Sequence, residues 1–339
     1  MQTGDTGKLC PPAMLAVLEP GPVYDHLALE SILLQRAPAG SRVFLLYRSK
    51  PAVVIGKHQI PWEQARLRLL AAAGVPIARR VTGGGAVWHD EGNLNWCFLE
   101  PADLRSRPQR LGLIIAGLRA VGLAVHAGER GDIWMMGRKV SGTALAYRRG
   151  MVLHHGTLLV NSHLAGVRDF LRPATGHFIG RGVASVPSPV MNLADAQPGL
   201  TPEDLIRALL DAAGAEAAGG AESGLRPEPV TDPAGLLAGV VPGTDASEAR
   251  DVLGLEAARL SGWDWVYGRS PDFRYRGSDG GPEIAVSAGR LKEARGAGGE
   301  LLEIPLMLQG LALSPGELDR VRLAPQSSGI LACIRQLFG

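Results

Sequence analysis

Two arginines and three consecutive glycines form the stretch of the sequence whose residue types and spacing most clearly favour ligand chemistry. The stretch, residues 79–93, reads RRVTGGGAVWHDEGN. Consecutive glycines permit backbone conformations that other residues avoid, so a ligand can approach main-chain N–H groups closely. Arg79 and Arg80 supply fixed positive charge for a phosphate or a carboxylate. Taken alone, a mobile turn beside a solvated basic pair explains the same residues equally well.

A second stretch, residues 131–144, places a lysine at a defined point of a predicted β-hairpin. It reads GDIWMMGRKVSGTA, and a turn at Met136 and Gly137 sets Lys139 at the head of the returning strand. A lysine held there can aim its ammonium group at a ligand, although a solvated lysine on an edge strand has the same pattern. Common nucleotide motifs do not apply, since Trp88 stands where GxGxxG requires its third glycine.

Two later stretches and the cysteines give weaker chemical patterns. HHGTLL at 154–159 predicts a strand whose adjacent histidines face opposite sides, so the pair cannot chelate one metal ion. GRGVASVPSPVMNL at 180–193 is loop-like, with glycines and prolines at which an ordered lid can form, but taken alone this composition predicts no function. Cys10, Cys97 and Cys333 are far apart and predict neither a disulfide framework nor a zinc site.

The elements that must position these residues alternate between helix and strand. Apolar residues at helical spacing predict a helix over 24–36. Short β-branched or aromatic runs beside Pro51 and Gly56 predict strands at 42–47 and 52–55. Further predicted helices are 62–73, 106–122 and one that begins at Thr201, and further predicted strands are 77–81, 132–136, 138–145 and 151–160. This alternation predicts a mixed α/β fold.

The composition changes after the helix that begins at Thr201. Residues 213–245 are rich in alanine, glycine and proline, which is typical of a linker or a loosely packed surface segment. We therefore predict a catalytic domain over 1–245 that includes this linker, and a small α+β domain over 246–339. The small domain is predicted to contain a helix near 246–260, a hairpin that turns at Gly289 and a helix that begins after Ser314.

Length and composition limit the function classes. The chain has 339 residues, of which 46% are hydrophobic and 20% charged, and its net charge is +2. It is long enough to bury a core and too weakly basic to indicate nucleic-acid binding. Its purely apolar runs are far shorter than the roughly 20 residues of a membrane-spanning helix, and its N-terminus does not match the signal-peptide pattern. We therefore expect a cytoplasmic protein that binds neither nucleic acid nor membranes.

The order and spacing of the four stretches resemble those of the lipoate-protein ligase family. The resemblance covers residues 24–210, and GWDWVYGRSPDF at 262–273 resembles the start of the accessory C-terminal domain found in the long form. It implies the biotin/lipoate ligase-type α/β (α+β) fold, a mixed sheet with flanking helices, plus a small C-terminal α+β accessory domain. It also implies an activity, namely ATP-dependent conversion of lipoate to lipoyl-AMP and transfer of the lipoyl group to a lysine of an acceptor protein.

The resemblance also implies site residues, cofactors and partners. Lys139 falls on the family's essential lysine in the motif G-[RK]-K-[IV]-[AS]-G, which makes it the predicted catalytic residue. The residues implied to bind ATP and lipoate are Arg79, Arg80, Gly83, Gly84, Gly85, Ala86, Val87, His89, Asp132, Lys139 and Ser185. ATP and Mg²⁺ are the implied cofactors, with no residue assigned as a metal ligand, and lipoic acid is the implied substrate. The implied acceptor is a lipoyl-domain protein, either a 2-oxoacid dehydrogenase E2 or a glycine-cleavage H-like protein.

Three features depart from the family's usual pattern. Gly131 stands where family members usually carry asparagine, which predicts a lost polar contact to nucleotide or metal. Pro187 and Pro189 replace two basic residues, which predicts an altered affinity for the acceptor or the nucleotide. Cys97 stands where a small residue is common. Two alternatives therefore stay open: an octanoyl or lipoyl transferase that uses a cysteine thioester, and a non-catalytic carrier-binding relative. Biotin ligase shares the fold, but its glycine-rich loop differs from RRVTGGGAV.

Overall fold

Two compact units make up the described part of the chain. The computed structural model describes residues 14–103, 106–171, 175–217, 230–320 and 328–338. The first unit contains the described chain up to Lys50, together with Asp90–Ser162 and Ser188–Glu256, and the second contains Pro51–His89, His163–Pro187 and the described chain from Ala257 onward. Each unit is built from separated chain segments and has its own hydrophobic core.

The strands and helices are numbered in chain order. The strands are β1 (Met14–Val17), β2 (Val43–Arg48), β3 (Ala52–Ile55), β4 (Ile77–Arg79), β5 (Val87–His89), β6 (Asn93–Pro101), β7 (His126–Ala127), β8 (Ile133–Met135), β9 (Arg138–Ser141), β10 (Thr143–Arg148), β11 (Met151–Leu159), β12 (Gly176–Gly180), β13 (Phe273–Gly277), β14 (Glu283–Ser287) and β15 (Arg290–Arg295). The helices are α1 (Val23–Arg36), α2 (Pro61–Gln64), α3 (Leu67–Ala72), α4 (Ser106–Ala120), α5 (Leu164–Phe170), α6 (Pro202–Ala217), α7 (Pro233–Val240), α8 (Ala246–Ser261), α9 (Trp263–Val266), α10 (Pro315–Arg320) and α11 (Ser328–Leu337).

The first unit is built on a five-stranded mixed sheet in the order β1-β2-β6-β11-β10. β1 and β2 run parallel, and the other neighbours are antiparallel. The core of this unit contains Trp96 of β6, Ile114 of α4 and Leu209 of α6, each 0% exposed. A second, three-stranded sheet in the order β7-β8-β9 carries the stretch that contains Lys139.

The second unit contains two further sheets. In the order β4-β3-β5, the central strand β3 pairs parallel with β4 and antiparallel with β5. β12, β13, β14 and β15 form an antiparallel four-stranded sheet. Trp62 of α2 packs against Phe273 of β13 and against Phe338, with ring centroids 5.5 and 6.4 Å apart. Aromatic residues from distant parts of the sequence therefore share one core.

The predicted mixed α/β fold is confirmed, and the boundaries differ where local geometry intervenes. The helix predicted over 24–36 is α1. The helix predicted over 62–73 is instead divided into α2 and α3, because Ala65 between them is extended, with φ of −147° and ψ of 151°. In the part of the chain that the structure describes, no helix is both long and apolar enough to cross a membrane.

The stretch predicted as a linker, residues 213–245, contains regular structure at both ends of its undescribed part, residues 218–229. α6 extends to Ala217, and α7 begins after Asp232, whose carboxylate accepts the N–H groups of the first turn. Leu236 and Leu237 of α7 are buried. These contacts make α7 part of the packed first unit, and the predicted boundary between residues 245 and 246 stays a prediction.

Candidate active site

The glycine-rich loop, residues 80–86 between β4 and β5, is in close backbone contact with a second loop. Gly84 has a φ of 87°, in the left-handed region that favours glycine. A Cβ atom at Gly56 would collide with the Gly84 carbonyl oxygen, so residues 56–59, the 56–59 loop, pack backbone to backbone against the glycine-rich loop. The Lys57 N–H donates to the Thr82 carbonyl oxygen at 2.8 Å and joins the same two loops.

Arg80 fixes the conformation of the glycine-rich loop through hydrogen bonds to residues of the loop. Its Nη2 donates to the carbonyl oxygens of Gly83 at 2.6 Å and Gly85 at 2.7 Å, and its Nε donates to Thr82 Oγ1 at 3.1 Å. The residue is buried. Its charge is therefore ordered against the carbonyl groups of the loop, in contrast to the solvated basic pair that the sequence also allowed.

Arg79, the last residue of β4, is 0% exposed. Its Nη1 donates to three carbonyl oxygens of the 56–59 loop at 2.8 to 3.2 Å. Its Nε and Nη2 donate to oxygen atoms of residues 265–270 at 2.6 to 3.1 Å. Burial lowers the pKa of Arg79 to about 10, which still leaves the side chain charged at neutral pH. Each guanidinium nitrogen of this predicted ligand-binding residue thus already donates to a protein oxygen.

Ser185 lies in the Ser185 loop, residues 181–187, and contacts the glycine-rich loop directly. Its Oγ accepts a hydrogen bond from the Ala86 N–H at 2.9 Å and donates to Gln64 Oε1 at 2.6 Å. Gln59 Nε2 donates to the same Oγ at 3.1 Å and to Gln64 Oε1 at 2.9 Å. Neither glutamine was predicted from the sequence, in which the available signal was two amide side chains at the ends of a mostly apolar turn.

Strand β5 carries the remaining predicted residues of the second unit. Val87 pairs with Val54, and His89 pairs with Ala52, both on β3. The His89 side chain is buried. The predicted residues that lie in the second unit are therefore Arg79, Arg80, Gly83, Gly84, Gly85, Ala86, Val87, His89 and Ser185.

Lys139 and Asp132 lie in the first unit, on the hairpin that β8 and β9 form. Met136 and Gly137 at the turn have φ of 50° and 70°, as a two-residue turn of type I′ requires. Lys139 Nζ is 3.4 Å from Asp132 Oδ2, and the two side chains are 26% and 6% exposed. A buried carboxylate thus holds an ammonium group that still reaches the surface, as a lysine that contacts substrate requires.

Gly131 shows how the chain accommodates its departure from asparagine. Its φ is 77°, and a Cβ atom there would collide with Nη2 of Arg107. Arg107 Nη2 also donates to the Arg130 carbonyl oxygen. A basic group therefore occupies the position where a side chain at residue 131 would begin.

Pro189 meets the backbone requirement of its position. The Lys139 N–H donates to the Pro189 carbonyl oxygen at 2.8 Å, and the Met191 N–H donates to the Lys139 carbonyl oxygen at 3.2 Å. This pairing uses the carbonyl group of residue 189 and not its N–H, the donor that proline lacks. The proline is therefore compatible with the backbone that holds Lys139.

Comparison with known proteins places this chain in a family. It matches the family model described as "Lipoyl protein ligase A/B catalytic domain" over residues 22–214, more than half of its length. The chain belongs to the lipoyl protein ligase A/B family. A Schizosaccharomyces pombe protein with the provisional name lipoate-protein ligase A is 33% identical over 259 residues, which are 74% of this chain and 69% of that protein.

Solved structures share the fold of this lipoyl protein ligase A/B family member. Plasmodium falciparum LipL1 in complex with lipoate has a TM-score of 0.63 at 20% identity, over 95% of this chain and 99% of that one. A lipoate-protein ligase A bound with ATP has a TM-score of 0.58 at 24% identity, over 74% and 98%. The bipartite lipoate protein ligase of Thermoplasma acidophilum, whose lipoylation system includes an E2 lipoyl domain, has a TM-score of 0.57 at 23% identity, over 76% and 96%. The predicted lipoate ligase-type fold is confirmed.

The two adjacent histidines of this family member have different surroundings, as the strand pattern predicted. His154 is 1% exposed and packs edge-on against Trp96, with ring centroids 4.9 Å apart. Burial, together with electrostatic interactions with His155 and Arg107, lowers its pKa to about 3. His155 Nδ1 lies 2.8 Å from Glu30 Oε2 of α1. The two rings therefore cannot bind one metal ion together.

Proposed function

We propose that this chain is an ATP-dependent lipoate-protein ligase, which converts lipoate to lipoyl-AMP and transfers the lipoyl group to a lysine of an acceptor protein. The observation that supports it most is the placement of Lys139, whose partly exposed ammonium group lies 3.4 Å from buried Asp132 at a fixed point of a hairpin. The chain's membership of the lipoyl protein ligase A/B family gives that lysine its context.

The chemistry of amide formation explains why such a charge is needed. A carboxylate is a poor electrophile, and a lysine amine is mostly protonated at neutral pH, so the acid must first be activated. In the proposed first step, a lipoate oxygen attacks the α-phosphorus of ATP, an O–P bond forms and pyrophosphate leaves. In the second step, the neutral acceptor amine attacks the acyl carbon, a C–N bond forms, the C–O bond to the phosphate breaks, AMP leaves and the amine loses a proton to solvent. Lys139 stabilises the negative charge on the α-phosphate and then on the acyl oxygen.

The glycine-rich loop binds substrate in this proposal. Arg80 holds the carbonyl oxygens of Gly83 and Gly85, so the loop conformation is fixed before a ligand arrives. The Ala86 N–H, which donates to Ser185 Oγ, is a donor that a ligand oxygen takes in place of this hydroxyl group. Closure of the Ser185 loop over the adenylate then keeps water from the mixed anhydride.

Magnesium enters the proposal as part of the ATP substrate. Mg²⁺ in nucleotide sites is bound largely by phosphate oxygens and water, with one or two carboxylates. Across the described ranges, no three His, Cys, Asp or Glu side chains are grouped as a metal site, and the Asp132 carboxylate is held by Lys139. In this proposal the protein's residues bind and orient the nucleotide, and no residue is assigned as a ligand of the metal.

A thioester route through Cys97 has less support. The residue lies on β6 and is 2% exposed. Burial raises the pKa of its thiol well above the ordinary value, and the adjacent Glu30 carboxylate raises it further. A thiol attacks an acyl group as its thiolate, so these surroundings disfavour a transferase that depends on Cys97.

We propose lipoic acid as the acyl substrate and a lipoyl-domain protein as the acceptor, either a 2-oxoacid dehydrogenase E2 or a glycine-cleavage H-like protein. Three solved structures of the same fold support these assignments. One contains lipoate, one contains ATP, and one belongs to a lipoylation system with an E2 lipoyl domain.

Pyrophosphate release in the presence of lipoate and ATP tests the proposal. We expect release that requires both compounds, followed by a mass increase of an added lipoyl domain by one lipoyl group. Modification of the domain from an acyl thioester without pyrophosphate would instead establish a transferase. If the protein neither releases pyrophosphate nor transfers the lipoyl group from ready-made lipoyl-AMP to the domain, it is a non-catalytic carrier-binding relative.

A further inference from the structure

The 56–59 loop contacts both loops of the proposed substrate site in the second unit. The Lys57 N–H donates to the Thr82 carbonyl oxygen at 2.8 Å, beside the glycines. The Val183 N–H, in the Ser185 loop, donates to the His58 carbonyl oxygen at 3.0 Å. A displacement of the 56–59 loop would therefore move both binding loops together.

The side chain of Arg79 fixes the conformation of the 56–59 loop. Its Nη1 donates to the carbonyl oxygens of Gly56 at 3.2 Å, Lys57 at 3.0 Å and Gln59 at 2.8 Å. Three carbonyl groups that converge on one nitrogen hold the loop in a tight turn. This tight turn keeps the backbone of Gly56 in contact with that of Gly84.

The other nitrogens of Arg79 bind a segment that follows much later in the chain. Nη2 donates to the Val266 carbonyl oxygen at 2.6 Å and to Ser270 Oγ at 3.0 Å, and Nε donates to the Trp265 and Val266 carbonyl oxygens at 3.1 and 3.0 Å. In the reverse direction, the Trp265 indole N–H donates to the Arg79 carbonyl oxygen at 2.7 Å. Side chain and main chain of Arg79 are both attached to the same segment.

An arginine suits this position better than any other cation. A buried charge is tolerated only when hydrogen bonds compensate for lost hydration, and the acceptors here are carbonyl and hydroxyl oxygens. The planar guanidinium group presents donors on opposite edges, so one side chain can bind two segments at once. A lysine has its donors on one atom and cannot serve both.

We propose that Arg79 is a positioning residue, which ties the 56–59 loop to Trp265–Ser270 and thereby sets the conformation in which the glycine-rich loop and the Ser185 loop bind substrate. The identity of that substrate, lipoate, rests on the proposed function. On this view Trp265–Ser270 is part of the framework of the substrate site, and Arg79 acts through the loops and not on the reacting atoms.

The variant Ser270→Ala tests the inference without removing the buried charge. It deletes one acceptor of Arg79 Nη2 and leaves the bond to Val266. We expect the KM for lipoate in pyrophosphate release to rise about fivefold while kcat stays within about twofold, because binding geometry is disturbed and Lys139 is not. Trypsin cleavage of the ligand-free protein after Lys57, which is exposed, should become faster by a similar factor.

A matched control is Ser261→Ala, whose exposed hydroxyl donates to the Ala258 carbonyl oxygen. This variant should have the wild-type KM for lipoate and the wild-type rate of trypsin cleavage after Lys57. Arg79→Lys keeps the charge and loses the forked donors, so it should raise the KM and the cleavage rate more than Ser270→Ala does, provided that circular dichroism shows a folded protein.

Direct contact between Arg79 and a substrate anion predicts a different pattern. Ser270→Ala would then match the wild type in KM and in cleavage after Lys57, while Arg79→Lys would retain part of the activity, and this pattern would overturn the inference. The cleavage measurement needs neither lipoate nor ATP. Absence of pyrophosphate release from the wild type would therefore refute the proposed function alone, whereas unchanged cleavage in both variants would refute the positioning role.

Discussion

Lys139 Nζ lies 3.4 Å from Asp132 Oδ2, and the pair joins the start of the β8–β9 hairpin to its returning strand. The lysine is partly exposed and the aspartate buried. The carboxylate therefore fixes the direction of the ammonium group, and a ligand anion meets a charge that is already in place.

Lys139→Ala should abolish adenylate formation while the protein still folds. Loss of the charge that stabilises the reacting phosphate should lower pyrophosphate release by about 10²-fold or more. A partly exposed ion pair contributes only about 1 kcal/mol to the free energy of unfolding. Arg148→Ala, an exposed cation on β10, is the control and should release pyrophosphate at the wild-type rate. Lipoyl-AMP made at the wild-type rate by Lys139→Ala would refute the catalytic role.

Gly84→Val should reduce lipoate binding and stability together. The φ of Gly84 is 87°, which a β-branched residue adopts only at a cost of about 2 kcal/mol or more. Gly83→Ala is the control for folding, since a Cβ atom there has open space. Calorimetric titration with lipoate and thermal unfolding measure the two effects. Wild-type lipoate affinity in Gly84→Val would show that the triple glycine serves only as a turn.

Gly131→Asn should destabilise the protein more than Gly137→Asn does. Both positions have positive φ, 77° and 70°, which asparagine tolerates better than most residues. Only a side chain at 131 would displace the end of the Arg107 side chain, which would then lose its hydrogen bond to the Arg130 carbonyl oxygen, whereas position 137 has open space. In urea unfolding, the difference between the two variants should shrink when Arg107→Ala is added. A difference that persists would mean that Arg107 does not restrict residue 131.

The unfolding free energy should depend on pH partly through His154. Burial lowers its pKa to about 3, so between pH 6.5 and 3 the unfolded chain binds a proton that the folded chain does not, and stability falls as the pH falls. At pH 5 this loss is about 2 kcal/mol. Between pH 7 and pH 5, the free energy of unfolding measured in urea should therefore fall by about 2 kcal/mol less for His154→Leu than for the wild type. His26, whose pKa burial lowers to about 4, contributes equally to both proteins. Equal losses would contradict the prediction.

Local rules were enough to predict the hairpin that presents Lys139. Met136 and Gly137 form a tight turn between short strands, and that pattern is decided within a few residues. The helix α1 was predictable for the same reason, because its apolar spacing is local. The division between α2 and α3 was not, since it depends on the extended conformation of Ala65, a residue that favours helices.

Contacts between distant residues could not be read from the sequence. Arg79 suggested a ligand contact because its charge and its neighbouring glycines are visible in the sequence. Its acceptors at Trp265 and Val266 are 186 and 187 residues away, and no local pattern records which carbonyl oxygens the fold brings together. Gln59 and Gln64 were missed for the same reason, because their role depends on Ser185.

The interleaved construction of the second unit has a consequence for synthesis on the ribosome. Trp62 leaves the exit tunnel early, but its ring partners Phe273 and Phe338 are translated much later. At ~5–20 residues per second, the nascent chain carries this indole without its partners for tens of seconds. We expect Pro51–His89 to be the segment that chaperones bind during translation and the one from which aggregation begins when translation stalls before Phe338.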